Sequence, residues 1–279
     1  VSAPYYVHNT TKLTDWQTIR NNPAPWAELE SDKIILMLPS SYIRTLADPV
    51  ALLNQWDAVL DADADLASIS RTRVRAERYL IDRDISAGYM HSGYPIMAPF
   101  DEAADLVSAT ALRAGKWGYW HELGHNHQWL PWVMQGTTES SVNLWSVYVS
   151  ETVMGIPRAM AHPSITAAMR TQRVQAFIAG GRKYATWGND AWLPLEMYLM
   201  LQEGFGWAPY MSINADYNAL PTAMSPATDQ ERVDQWVLRF SQKVGKNLGP
   251  FFTSWGLPVS AAILTQIAAL PAWTQNPMP

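Results

Sequence analysis

The strongest constraint on this chain sits at residues 121–125, where two histidines bracket a glutamate in the order His121-Glu122-Leu123-Gly124-His125. Imidazoles four residues apart meet on one face only if the backbone between them is helical, one turn carrying the second above the first. The motif therefore demands a helix. In a chain of this composition the pattern would arise by chance about once in 200 sequences, which makes it specific by itself. Both rings can then reach a single ion at zinc–nitrogen distance. Glu122 sits beside the pair, placed to take a proton from an attacking water and to pass it to a departing amine. The bland alternative is two histidines packed on a helix with a solvent-facing glutamate.

A third ligand tips the reading toward a metal. Glu139 opens the segment TTESSVNLWSVYVSE, whose Val142, Trp145 and Val149 have helical apolar spacing. Two antiparallel helices joined by WLPWVMQG would return Glu139 to the histidine pair. That gives two imidazoles, one carboxylate and an open position, the donor set of a catalytic zinc. Asn143, four residues past Glu139 and on the same helical face, is a candidate to accept a hydrogen bond from the outer nitrogen of a ligand histidine, or else to bond its helical neighbours. His127 is turned roughly 200° from His125 around a helix. It is expected to pack or to hydrogen-bond the helix end rather than to bind metal.

Composition narrows the partners. The 279 residues are 48% hydrophobic and 16% charged, enough for a sizeable core. A net charge of -5 with no long Lys or Arg run argues against nucleic acid and anionic lipid. Absence of cysteine excludes disulfides, thiolate metal sites and thiol nucleophiles. No stretch has the 18 or so apolar residues of a membrane span, so no membrane insertion is expected, and the opening residues lack the basic and apolar regions of an export signal.

The expected fold class is α+β, in one catalytic domain with a sheet-containing lobe over about 1–117 and a helical lobe over about 118–279. KIILML at 33–38 reads as a strand, YYV at 5–7 as its partner, and RAERYLIDRDI at 75–85 as another. Asp48 caps a helix beginning at Pro49, with Leu52, Leu53, Trp56 and Leu60 on one face. Further helices are expected near 102–117, 137–152, 163–179, 190–204, 228–243 and 259–269. DADAD at 61–65 starts like a calcium loop, but Leu66 stands where the turn needs Gly and Thr72 where a bidentate Glu should be, leaving a solvated helix end or turn.

Taken together, WHELGHNHQ at 120–128, a Gly, and then Glu139 heading a helix with VNLWSVYV resemble the enhancin-like and bacterial mucinase peptidases, a gluzincin family of zinc metallopeptidases. PAPWAELESDKIILMLPS at 23–40, HSGYPIM at 91–97 and PLEMYLMLQEGFGW at 194–207 carry the same resemblance, which spans nearly the whole chain. It implies a gluzincin-like catalytic domain in which His121, His125 and Glu139 match the zinc ligands and Glu122 the catalytic glutamate. It also implies a secreted or cell-surface location and mucin-type O-glycosylated proteins as substrates, several members being O-glycopeptidases that cut beside a glycosylated Ser or Thr. Members commonly carry additional carbohydrate-binding modules.

Substrate-binding candidates lie elsewhere in the chain. His91 and Tyr94, in the polar His91-Ser92-Gly93-Tyr94 segment, could bind substrate or the oxyanion, or simply form a loop. Tyr184 and Tyr198, with His162 behind them, are the other oxyanion candidates. Trp187 and Asn189 join an aromatic face to polar groups, as sugar sites do, although most of the 14 tryptophans are expected in the core. The reading is thus a zinc endopeptidase acting on O-glycosylated proteins. Its rivals are a metallopeptidase indifferent to glycans and a non-catalytic glycoprotein-binding module on the same fold.

Overall fold

In the computed structural model, residues 1–128 and 130–278 are described. Trp129, the first residue of the WLPWVMQG connection, lies outside them. Five strands form one sheet in the order β1 (Tyr5–Val7), β2 (Trp26–Glu30), β3 (Ile34–Pro39), β4 (Glu77–Asp82) and β5 (Ile96–Pro99). β2 and β3 are antiparallel and the other neighbours parallel. Alternation places Leu29, Ile34, Leu36, Leu38, Tyr79, Ile81, Ile96 and Ala98 in the core. The segment YYV does not pair with KIILML, as the sequence suggested. It pairs with β2, which lies between them.

The helices are α1 (Leu13–Ile19), α2 (Val50–Ala67), α3 (Ala103–Leu106), α4 (Ala109–Arg113), α5 (Trp117–His127), α6 (Thr138–Ser141) and α7 (Asn143–Thr152). They continue with α8 (Arg158–Ala161), α9 (Ala167–Ala179), α10 (Trp192–Phe205), α11 (Ala208–Asn218), α12 (Asp229–Val244), α13 (Gly249–Ser254) and α14 (Ala261–Ile267). The architecture is α+β, an N-terminal five-stranded sheet with a mainly helical remainder. Asp48 caps α2 as expected, its Oδ1 accepting from the Val50 N–H at 2.8 Å. The helix expected over 102–117 is broken instead. Ser108 ends one piece and caps the next, accepting from the Ala111 N–H, and Gly115 turns the chain at φ +98° before α5 begins.

By compactness the chain divides into two units. One comprises residues 1–64, 70–127 and 145–157, and the other 65–69, 128–144 and 158–279. The first contains the sheet and α5. Its core is aromatic where α5 is seated: the Trp56 ring lies 5.4 Å from Tyr79, 5.8 Å from Tyr119 and 5.5 Å from Trp120. The Tyr79 hydroxyl donates to the Tyr119 carbonyl at 2.7 Å, and the Tyr119 hydroxyl donates to Glu102 Oε2 at 2.7 Å. Each buried hydroxyl is thus satisfied.

The second unit is built on α10 and α12. Trp236 of α12 stacks on Trp132 at 4.8 Å and meets the Tyr198 ring of α10 edge-on at 5.6 Å. Trp132 Nε1 donates to Asn214 Oδ1, and Asn214 in turn donates to the Leu66 carbonyl. The amphipathic α12 has a full capping box between Thr228 and Glu231 and ends at Gly245 in the left-handed region. The largely exposed α9 is held by ion pairs: Arg170 and Arg173 both reach Glu196, a carboxylate buried in α10.

DADAD lies in the last two turns of α2, a helix end as expected but not a solvated one: Asp61 pairs with Lys33 and Asp63 is wholly buried. Among the described residues neither Asp63 carboxyl oxygen has a hydrogen-bond partner, and burial pushes its carboxyl well above the usual range, against an opposing pull from Arg73. Because its folded pKa is raised, the stability that Asp63 contributes is fully present below the unfolded pKa of about 4 and is lost as pH rises from there through the folded pKa. Asp63→Asn is therefore expected to raise the melting temperature at pH 8 by about 2 °C or more, a gain that shrinks toward pH 4 in thermal melts. A gain independent of pH would contradict this account of Asp63.

Candidate metal centre

α5 presents the histidine pair as the four-residue spacing requires. The Nε2 atoms of His121 and His125 are 3.1 Å apart, with ring centroids 4.7 Å apart and planes at 90°. Two nitrogens each about 2.0–2.1 Å from one tetrahedral zinc would be separated by about 3.3 Å. The pair thus fits a shared ion with little adjustment. Both rings are half-buried, while Glu122 is 8% exposed.

The end of α5 is fastened by residues that the motif does not include. His127 Nδ1 lies 2.6 Å from the Leu123 carbonyl, which can only accept, so this nitrogen carries the proton. Its Nε2 then accepts from Arg73 at 2.8 Å. Burial and Arg73 push the His127 pKa down to about 4, consistent with this neutral form. As the spacing predicted, His127 secures the helix end. Arg73 also donates to the Leu60 carbonyl at 3.0 Å and pairs with Glu77 of β4 at 3.4 Å.

Asn126, directly after His125, was not singled out in the sequence. Its Nδ2 donates to Glu77 Oε2 at 2.9 Å and to the Gly93 carbonyl at 3.0 Å, and its Oδ1 accepts from the Gly93 N–H at 3.0 Å. The amide therefore clamps the 91–95 loop to the metal-binding helix. Within that loop both nitrogens of His91 are engaged locally, with the Ser92 carbonyl at 2.9 Å and Ser86 Oγ at 2.8 Å. His91 thus takes part in the local structure of the loop. Tyr94 is 42% exposed.

In the second unit, Glu139 lies in the first turn of α6. Thr137, Ser140, Ser141 and Val142 are buried around it, so Glu139 is one of the few side chains of this turn that face outward. Gln128 Nε2 donates to the Thr138 carbonyl at 2.9 Å, and Asn143 Nδ2 donates to the Glu139 carbonyl at 2.8 Å, steadying the turn. Asn143 is 2% exposed and holds the backbone that presents Glu139. Just upstream, Gly136 is at φ +75°, and a Cβ there would come within 2.8 Å of the Gly188 Cα. Only glycine allows this crossing of the two segments.

The remaining candidates separate by burial. Trp187 and Tyr198 are wholly buried, Trp187 edge-on to Trp255 at 6.0 Å, so neither is the substrate contact the sequence suggested. Both are core residues. Asn189 is exposed. Tyr184 lines a cleft of about 280 Å³ with Gln135, Gly136, Ala185 and Gly188. Its hydroxyl donates to Asp229 Oδ2 at 2.8 Å, and burial followed by that carboxylate raises its pKa. His162 stacks on Trp192 at 4.5 Å, and burial lowers its pKa.

If Asn126 is what holds the 91–95 loop, Asn126→Leu should abolish protection of the Gly93 amide in hydrogen exchange while leaving the sheet amides unchanged. Retained protection at Gly93 would mean that other contacts fix the loop.

Comparison with known proteins places this geometry in context. The family described as Peptidase M60, enhancin and enhancin-like matches residues 1–256. TRPM8 channel-associated factor 2 of Bos taurus is 45% identical over 281 residues, covering 100% of this chain and 30% of that protein. The chain thus spans about 30% of the length of the curated relatives it matches. A conserved protein of unknown function from Bacillus anthracis str. Ames shares the fold with a TM-score of 0.84 at 23% identity, over 97% of this chain and 57% of the other. A metallopeptidase solved in complex with Tn antigen shares it with a TM-score of 0.74 at 16% identity, over 96% and 56%. With the family pattern matched across most of its length and a relative this similar along all of it, the chain belongs to the Peptidase M60, enhancin and enhancin-like family.

Proposed function

We propose that this chain is a zinc-dependent endopeptidase domain acting on O-glycosylated proteins. The observation that carries the reading is the His121–His125 pair, whose Nε2 atoms lie at the separation expected for two donors to one ion, with Glu122 between them on the same helix. Glu139 is the proposed third ligand, each of the three residues offering one ligand atom. Two imidazoles and a carboxylate suit zinc and leave a position open for catalysis. Membership of a peptidase family supports the reaction class. A structural relative solved with Tn antigen supports a glycosylated substrate.

The ion would act as a Lewis acid, polarising the scissile carbonyl and lowering the pKa of a water toward about 7. His121 and His125 would hold the ion through their Nε2 atoms. Glu122 Oε removes the proton from the water that attacks the carbonyl carbon. The same carboxyl then delivers that proton to the amine nitrogen as the C–N bond breaks. Because Glu122 lies on the ligand helix itself, its carboxylate is carried with the two imidazoles as one rigid turn, which lowers the cost of orienting the base.

A second reading is favoured by the names of the relatives, TRPM8 channel-associated factors. On that reading the domain binds a partner protein and does not cleave it.

One experiment separates these readings. A mucin-type O-glycopeptide and its unglycosylated twin are incubated with wild type and with Glu122→Gln, and products are read by mass spectrometry. The expected result is cleavage of the glycosylated peptide alone, reduced about 10²–10⁴-fold by the substitution and abolished by chelation. Cleavage of both peptides would remove the glycan requirement, and intact peptides throughout would favour the binding reading.

A further inference from the structure

Residues 71–78 hold four arginines, Arg71, Arg73, Arg75 and Arg78, in a chain whose net charge is -5. Arg73 is turned inward to Glu77 and His127. Arg78 is paired with Glu28 at 2.6 Å. Arg75 is exposed, and among the described residues it makes no ion pair. Its guanidinium carbon instead lies 3.5 Å above the centroid of the Tyr94 ring.

That stacking uses the face of the guanidinium and leaves its edge available. The five N–H donors lie in the guanidinium plane, so an arginine flat on an aromatic ring can still offer a two-pronged fork to an anion beside it. Carboxylates match that fork bidentately. The platform beneath is fixed: Tyr94 follows Gly93, whose N–H and carbonyl are both bonded to Asn126, the residue after His125. Arg75 is thereby held over a loop tied to the end of the histidine-bearing helix, within the same compact unit.

We propose that the Arg75–Tyr94 stack is a subsite that reads a carboxylate on the substrate, carried either by an acidic sugar of the sialic acid type or by an Asp or Glu side chain near the cleavage point. The inference rests on the peptidase reading for the identity of the ligand, but its test does not require turnover. A guanidinium already stacked on a ring of a tethered loop has less freedom to lose when an anion arrives, and its preference is for charge combined with planarity.

The test measures binding of zinc-loaded Glu122→Gln protein by calorimetry to two matched pairs of peptides. One pair carries a single GalNAc-Thr with or without sialic acid. The other carries unsialylated GalNAc-Thr with Glu or Gln at a neighbouring position. The acidic member of at least one pair is expected to bind about tenfold more tightly, and the pair concerned identifies the source of the carboxylate. Adding Arg75→Ala should equalise that pair without weakening the neutral peptide. Tyr94→Leu should reduce the preference while Tyr94→Phe retains it, and the melting temperature of each variant verifies folding. Equal affinities within both pairs, a preference that survives Arg75→Ala, or no binding by any peptide would overturn the subsite. Cleavage by the wild type is scored separately: acid-selective binding without cleavage would sink the peptidase reading alone, and cleavage without acid selectivity would sink the subsite alone.

Discussion

Everything proposed for this protein depends on how firmly α5 is held. Two imidazoles form a ready ligand pair only if the helix turn between them is fixed before the ion arrives, since ordering side chains at the moment of binding costs affinity. Here the helix is seated at one end by rings and at the other by hydrogen bonds. Trp56 and Tyr79 pack against Tyr119 and Trp120 in its first half, and the Tyr79 hydroxyl ties its backbone to β4. Arg73 and Glu77 receive His127 and Asn126 at its last turn. The sheet therefore acts less as a binding surface than as the anvil on which the metal helix is set.

The same fastening explains why neighbouring residues can carry function without touching an ion. Asn126 transmits the position of α5 to the 91–95 loop, and the loop in turn carries Tyr94 and the arginine stacked on it. A buried polar network of this kind is stable only if its members stay paired: removing the Arg73 side chain would take from the buried His127 Nε2 the donor it accepts from, and from Glu77 and the Leu60 carbonyl one partner each. In the second unit a different device serves the turn of Glu139. Thr137, Ser140 and Ser141 are buried beneath it, and the close crossing of Gly136 and Gly188 fixes the approach to it.

The parts of this arrangement that follow from periodicity were legible in the sequence. The His-Glu-x-x-His spacing required a helix, KIILML was a short apolar run of strand type, and Asp48 announced the start of α2. What depends on tertiary partners was not. YYV could be recognised as a strand, but nothing local says that it adds to β2. The Ala- and Leu-rich run after Glu102 has helical composition, yet Ser108 offers its side chain to a new helix start and Gly115 ends it. Asp63 looked solvated because aspartates usually are, and its burial within α2 is a property of the packing. Trp187 shows the same limit from the other side, since an aromatic next to polar groups reads equally as a sugar platform or as core. Asn126 left one faint trace, a short polar side chain immediately after a ligand histidine, where an amide can serve both a donor and an acceptor.

The most direct test of the account is the zinc affinity of the wild type set beside that of Glu139→Gln, measured by competition with a chromophoric chelator. The account predicts one tightly held ion per wild-type chain and an affinity lowered by about a hundredfold or more when the carboxylate is replaced by a neutral amide, as expected for loss of a ligand rather than of a supporting contact. Equal affinity in the two proteins, or no stoichiometric zinc in the wild type, would contradict it.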